Sequence, residues 1–264
     1  MKRPYDKLTV VGLALLAYVL STLAHEGLGH GGACLALGGH LTDWGAYYVD
    51  CDQISKFPGR LVAAAGSTVN LIIALFAGLG LKIRLQRPGG AQGAGTLFLW
   101  IMLCINSFTW AGYFLFSGLA GIGDWQDVIS GLPYESALRV GMALFGGLAY
   151  FLLGRNAGRY LGKILGGQDM PSGRIVSWTV YVTGGAMALA IGLMNPMGFV
   201  ILLTSAIASS LGGTSGLLWL HQFMQPSAET GFVVKRNPVV IALGFLAAIL
   251  FALVWGPTLR FGSH

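Results

Sequence analysis

Charge is scarce in this chain. Lys, Arg, Asp and Glu together make up 10% of its 264 residues, against 55% that are hydrophobic. Soluble domains usually carry about a quarter charged residues, so this composition excludes an ordinary soluble domain and points to a polytopic membrane protein. Cysteine is sparse too. Cys34, Cys51 and Cys104 are odd in number and lack paired spacing, which argues against a disulfide framework and against a Cys-based zinc site. No low-complexity tract or clear internal repeat interrupts the chain, so residues 1–264 read as a single membrane domain.

What is abundant is apolar sequence in runs long enough to cross about 30 Å of hydrocarbon, which takes roughly 20 helical residues. Such runs cover 8–38, 60–81, 94–118, 136–154, 174–194, 198–220 and 238–256. The expected fold class is therefore all-α and polytopic, with about seven transmembrane helices. Residues 1–132 contain the polar features, and 133–264 supply additional transmembrane helices. The first run follows Lys2, Arg3 and Lys7 like a signal peptide, but it continues through His25 and Glu26 without a clear cleavage site, so it reads as a retained span.

The net charge of +6 is explained by topology and calls for no nucleic acid. Twelve of the basic residues fall in alternate loops: Lys2, Arg3 and Lys7; Lys82, Arg84 and Arg87; Arg155, Arg159, Lys163 and Arg174; Lys235 and Arg236. The remaining loops hold four, Lys56, Arg60, Arg139 and Arg260. The positive-inside rule then places the N-terminus in the cytoplasm of an integral, multi-pass membrane protein, and 39–59 outside. His25 lies about 17 residues into its span, near the outer leaflet.

Against this apolar background stands the segment His25-Glu-Gly-Leu-Gly-His30. Ionisable groups within hydrocarbon are costly, and by default they mark function. Neutral imidazoles bind zinc, and an adjacent glutamate can take a proton from water. The zinc-protease pattern His-Glu-x-x-His sets its histidines four apart, roughly 40° from each other on a helix. Here they are five apart, and a regular helix would leave them roughly 140° apart. A π-type bulge, eased by Gly27 and Gly29, would rotate His30 back toward His25. Alternatively, Glu26 and His30 form a hydrogen-bonded i, i+4 pair without metal.

Three further features follow. Trp44-Gly-Ala-Tyr-Tyr-Val49 favours β structure, either as a short hairpin near 44–52 with an edge strand open to a peptide, or as an interfacial aromatic loop. Gly66 and Asn70, four apart on one face of the second span, fit close helix packing with an interhelical amide bond. Asp124 and Asp127 follow the third span through a glycine-rich bend; either could ligate a metal, and Asp124 could equally cap a short helix. His40 reads as an interfacial histidine or a spare ligand, and His221 and His264 as solvated or capping residues.

Taken in order, these pieces resemble the site-2 protease family of intramembrane zinc metallopeptidases. His25-Glu26-Gly27-Leu28-Gly29-His30 is similar to that family's His-Glu-Leu-Gly-His with one glycine inserted, Gly66-x-x-x-Asn70 to its Gly-x-x-x-Asn motif, and Asp124 to its aspartate ligand, here followed by Trp125 instead of glycine. The resemblance covers roughly residues 10–131. It implies a three-helix catalytic core in which His25, His30 and Asp124 bind Zn2+ and Glu26 is the general base or acid. It further implies that Asn70 and Gly66 contact the substrate and that 44–52 pairs with it. The expected activity is hydrolysis of peptide bonds in or near transmembrane segments, the partners being a membrane-protein or transmembrane-peptide substrate and the lipid bilayer. Two other expectations compete: a catalytically inactive relative that binds membrane partners, and a proton-coupled transporter using the intramembrane His and Glu.

Overall fold

In the computed structural model the described residues are 5–87, 90, 93–166, 170–196, 202–225 and 234–262. Lys2, Arg3, His264 and the start of the expected span at 198–220 lie outside them. Six helical stretches are long and apolar enough to cross a membrane. The first comprises α1 (Lys7–Leu23), a π-helical turn (Ala24–Gly31) and α2 (Gly32–Ala36). It leads into a hairpin of β1 (His40–Trp44) and β2 (Val49–Asp52). There follow α3 (Lys56–Leu85), α4 (Ala94–Ala120), the short α5 (Asp124–Ile129), α6 (Glu135–Leu165) and α7 (Met170–Gly192). A second π-helical segment (Leu202–Gly212) and two 3-10 turns (Ser215–Leu218, Leu220–Phe223) precede α8 (Pro238–Trp255) and β3 (Leu259–Arg260).

The expectation of about seven spans thus becomes six among the described residues. The run at 198–220 does not continue as one regular helix, for a local reason. Ser209, Ser210 and Thr214 turn their hydroxyls back onto the carbonyls of Ser205, Ala206 and Ser210, a habit that bends helices. Beyond Gly212 and Gly213 the freed backbone is captured from outside. The Tyr150 hydroxyl donates to the Gly213 carbonyl at 2.8 Å and accepts from the Gly216 N–H at 2.7 Å.

Helix α4 is the central post. Leu97, Trp100, Ile101, Cys104, Ile105, Phe108 and Ala111 recur at three- and four-residue steps and are all buried, one continuous face at helical period. Across it, α6 approaches closely enough that a Cβ on Gly146 would lie 2.4 Å from the Leu115 nitrogen, the small-residue contact expected between membrane helices. Trp100 Nε1 donates to the Ala157 carbonyl at 2.9 Å, so even this ring's polar atom is satisfied.

The hairpin near 44–52 is present, somewhat longer than expected, in a three-stranded antiparallel sheet ordered β2-β1-β3. Its turn faces inward. Gly45, Ala46, Tyr47 and Tyr48 lack the Asn, Asp and Pro of solvent turns, and Ala46 and Tyr47 are buried in the core. The sheet also corrects the reading of the cysteines: Cys34, on α2, and Cys51, on β2, form a disulfide across 17 residues, while Cys104 is a buried thiol. The pairing follows from the strand reversal, which carries Cys51 back over the end of the first span. Peptide mapping of unreduced protein should find Cys34 linked to Cys51. Cys51→Ser should lower the unfolding free energy by about 3 kcal/mol, the chain entropy of a loop of this size, read from the denaturation midpoint.

Candidate metal centre

Glycine at 27, 29, 31 and 32 weakens α-helical pitch where the first span needs to widen. There the backbone adopts the i→i+5 pattern, with the Gly32 N–H bonded to the Gly27 carbonyl. Five residues then close one turn instead of overshooting it. The His25 and His30 rings meet at a centroid separation of 4.8 Å, their Nε2 atoms 3.2 Å apart. The other ring nitrogen of each is spoken for. His30 Nδ1–H donates to the Val62 carbonyl at 2.8 Å, and His25 Nδ1–H to Asn70 Oδ1 at 2.5 Å.

Those assignments are fixed by an acceptor that cannot reverse its role. Asn106 donates from Nδ2 to the Met102 carbonyl and to Ser21 Oγ, each at 2.8 Å. Its Oδ1 therefore accepts from Asn70 Nδ2, at 2.8 Å, and Asn70 Oδ1 is left to accept from His25. Both imidazoles consequently carry a proton on Nδ1, so each ring, when neutral, offers its Nε2 lone pair to the shared point, the tautomer a metal ligand requires.

Asp124 completes the set. Gly123, with φ at +88°, turns the chain out of α4, a backbone state that a side chain would strain. Trp125 then pins α5, donating from Nε1 to Ser67 Oγ at 3.0 Å and stacking on Phe114 at 4.1 Å. Asp124 Oδ2 thereby arrives 3.4 Å from each Nε2. It is buried and accepts no hydrogen bond among the described residues. Asp124 does not cap α5, whose N-cap is Gly123 with no side-chain bond. Asp127, the other candidate, lies exposed at the cavity rim.

Three acceptor atoms thus face one another at 3.2, 3.4 and 3.4 Å. A tetrahedral ion with bonds of roughly 2.0–2.1 Å separates its ligands by about 3.3 Å, so the triangle has the right size. His25, Glu26 and His30 also form a group whose ligand atoms lie within 4.8 Å of one another and could hold a metal ion. The i, i+4 alternative is not realised: Val62 takes one His30 nitrogen, and the other faces His25 and Asp124.

Gly66 and Asn70 sit at the centre as expected, in other roles. A Cβ at Gly66 would lie 2.4 Å from His30 Nε2 and 2.7 Å from His25 Nε2, and one at Gly29 would meet Gly66 Cα at 2.5 Å. Gly66 makes room for the rings. Asn70, with both polar atoms bonded, orients His25 and does not line the main cavity. That cavity, about 370 Å³, is lined by Glu26, His30, Asp124 and, from the second half of the chain, Ser205, Ser209 and Gly213. Sequence reading passed over Asn106 and Ser21; the available signal was an amide in mid-span, which needs an internal partner in lipid.

In comparisons with known proteins, no family model, no curated protein and no solved structure matches the chain.

Gly66→Ala should abolish metal retention by purified protein, measured by elemental analysis. Gly78→Ala, whose Cβ meets only a Leu103 methyl at 3.4 Å, should leave retention intact. Asn70→Ala should weaken metal affinity about 10–100-fold, as losses of such orienting partners do, in competition titrations with a chelator.

Proposed function

We propose that the chain is an intramembrane zinc endopeptidase of site-2 protease type, cutting peptide bonds in or near the transmembrane segments of membrane proteins. The observation that carries this reading is the convergence of His25, His30 and Asp124 on one point with Glu26 beside them on a cavity. Two imidazoles and a carboxylate are a zinc-type donor set, and three protein ligands leave a position open. Zinc held there would lower the pKa of water toward ~7 and polarise a carbonyl.

The chain's own residues would do the rest. Glu26, 5% exposed and lining the cavity, accepts a proton from the attacking water and returns it to the departing amine nitrogen, the general acid–base role. The substrate would lie along β2, an edge strand of the sheet, whose Val49 and Cys51 line the same cavity. An extended segment added to that edge gains main-chain hydrogen bonds. The three-helix core in this reading is the first span with α3 and α4, closed by the later helices.

We further propose that this cavity opens away from the cytoplasm. Lys7 to His25 is 18 residues of largely α-helical rise, about 27 Å, so the site lies at the far end of the span from the basic N-terminus. The Cys34–Cys51 disulfide at that end favours an oxidising compartment. It agrees with the twelve-to-four distribution of basic residues.

The purified full chain in detergent should hold one zinc, lost in His30→Ala. Glu26→Gln should keep the zinc yet lower cleavage of synthetic single-span peptides by about 10²–10⁴-fold, the usual contribution of a general base. Undiminished cleavage by Glu26→Gln contradicts the reading. In proteoliposomes, proton-linked flux abolished by Glu26→Gln would instead favour transport.

A further inference from the structure

Five residues line both the main cavity and a smaller one of about 30 Å³ on the far side of the metal centre: Glu26, Tyr47, Thr109, Tyr113 and Ser209. Glu26 therefore stands at the partition, and the hydroxyls there are its immediate company. Ser209 is committed, donating to the Ser205 carbonyl at 2.7 Å. Tyr113 lies flat on the His25 ring, 5.1 Å away and 13° from parallel, so its ring serves to hold that ligand. Tyr48, also on the cavity, bonds through its hydroxyl to Thr258 Oγ1 at 3.0 Å.

Tyr47 is different. It is 6% exposed, yet its hydroxyl has no hydrogen-bond partner among the described residues. An unsatisfied buried hydroxyl costs about 1–3 kcal/mol, and phenylalanine would fill the same space without that cost. The ring is held firmly even so. Phe251 packs edge-on against it at 6.4 Å, the Gly45 N–H closes the turn onto the Tyr48 carbonyl, and the disulfide ties β2 to the first span. A rigidly placed donor without a ground-state partner is what stabilisation of a developing charge requires.

Hydrolysis of an amide creates such a charge. When water adds to the carbonyl carbon, the C–O bond forms, the C=O π pair moves onto oxygen, and the water's proton passes to Glu26. The resemblance implies that Asn70 contacts the substrate, but here its oxygen accepts from His25 and its amide nitrogen donates to Asn106. We propose that Tyr47 is a further catalytic residue, donating a hydrogen bond from its hydroxyl to the oxyanion of the tetrahedral intermediate. It keeps its proton throughout, and the bond is released when the C–N bond breaks and the amine leaves with the proton from Glu26.

This inference rests on the peptidase reading, and its test separates the two. Full-length wild type, Tyr47→Phe and Thr109→Val would be compared in detergent for zinc content, thermal midpoint, and kcat and KM on a fluorogenic single-span peptide. A phosphinic analogue of that peptide, which mimics the tetrahedral state, would supply a binding readout. Tyr47→Phe is expected to keep its zinc and KM, to melt at the same or a higher temperature, and to lose about 10²–10³-fold in kcat, as removal of one oxyanion donor does. Its affinity for the phosphinic analogue should fall in parallel, since a transition-state contact is felt there and not by substrate. A lower midpoint with kcat and analogue affinity both unchanged would mean a structural hydroxyl and overturn the proposal. So would loss in Thr109→Val alone. If Tyr47→Phe equals a wild type that cleaves, only Tyr47's role falls; if wild type neither holds zinc nor cleaves, the peptidase reading falls and takes this one with it.

Discussion

Two imidazoles five residues apart can share a point only where the helix between them abandons α-helical pitch, and the turn from Ala24 to Gly31 is where that happens. Glycine in a helix interior costs about 1 kcal/mol relative to alanine, so a run with four of them in six positions would unravel in isolation. Neighbours hold it instead. Gly29 seats against the backbone at Gly66, and the Trp44 ring fills the space over Gly27, where a Cβ would come within 2.6 Å of it. The glycines that make the wide turn possible also let its supports approach.

Holding three acceptors face to face demands a second layer of structure. In a low-dielectric interior an unpaired polar group is expensive, and a fully satisfied network is correspondingly rigid. The sequence of bonds from the Met102 carbonyl through Asn106 and Asn70 to His25 satisfies the polar atoms of both amides that face it. It joins α4, α3 and the first span with short, directional contacts. Because it begins at a backbone carbonyl, it sets the proton position on His25 whatever occupies the centre.

How much of this could be read from the chain depends on whether the determinant was local. His25, Glu26 and His30 were legible because ionisable groups in hydrocarbon demand an explanation, and their odd spacing itself implied the π-type turn. Asp124 was legible as a candidate ligand or cap, whereas Gly66 and Asn70 were legible as positions, but not as roles. Whether an amide faces a substrate or a ligand's Nδ1 depends on the rotation of α3 against the first span, which spacing does not encode. The Cys34–Cys51 bond was missed because its proximity is created by the strand reversal of β1 and β2. The run at 198–220 was expected as one regular helix because hydropathy does not register hydroxyls that bond back to their own helix, or a tyrosine on α6 that captures the next turn.

The two halves of the chain divide the physical problem between them. The first supplies every donor at the centre, from His25 to Asp124, and would by itself face hydrocarbon, where water is excluded. The proposed hydrolysis would need water at that depth, so something must make the surroundings polar without supplying competing charge. Hydroxyls do this, and the later segments bring them: Ser205 and Ser209 on the main cavity, Ser210 on the smaller one, with Tyr18 and Thr214 bonded at 2.9 Å behind it. The bent, π-helical character of Leu202–Gly212 follows from the same hydroxyls. A regular apolar helix in that place would span the bilayer more cleanly and leave the centre dry. The irregularity that broke the hydropathy pattern is, on this argument, the means by which a helical bundle keeps a wettable pocket within an apolar layer.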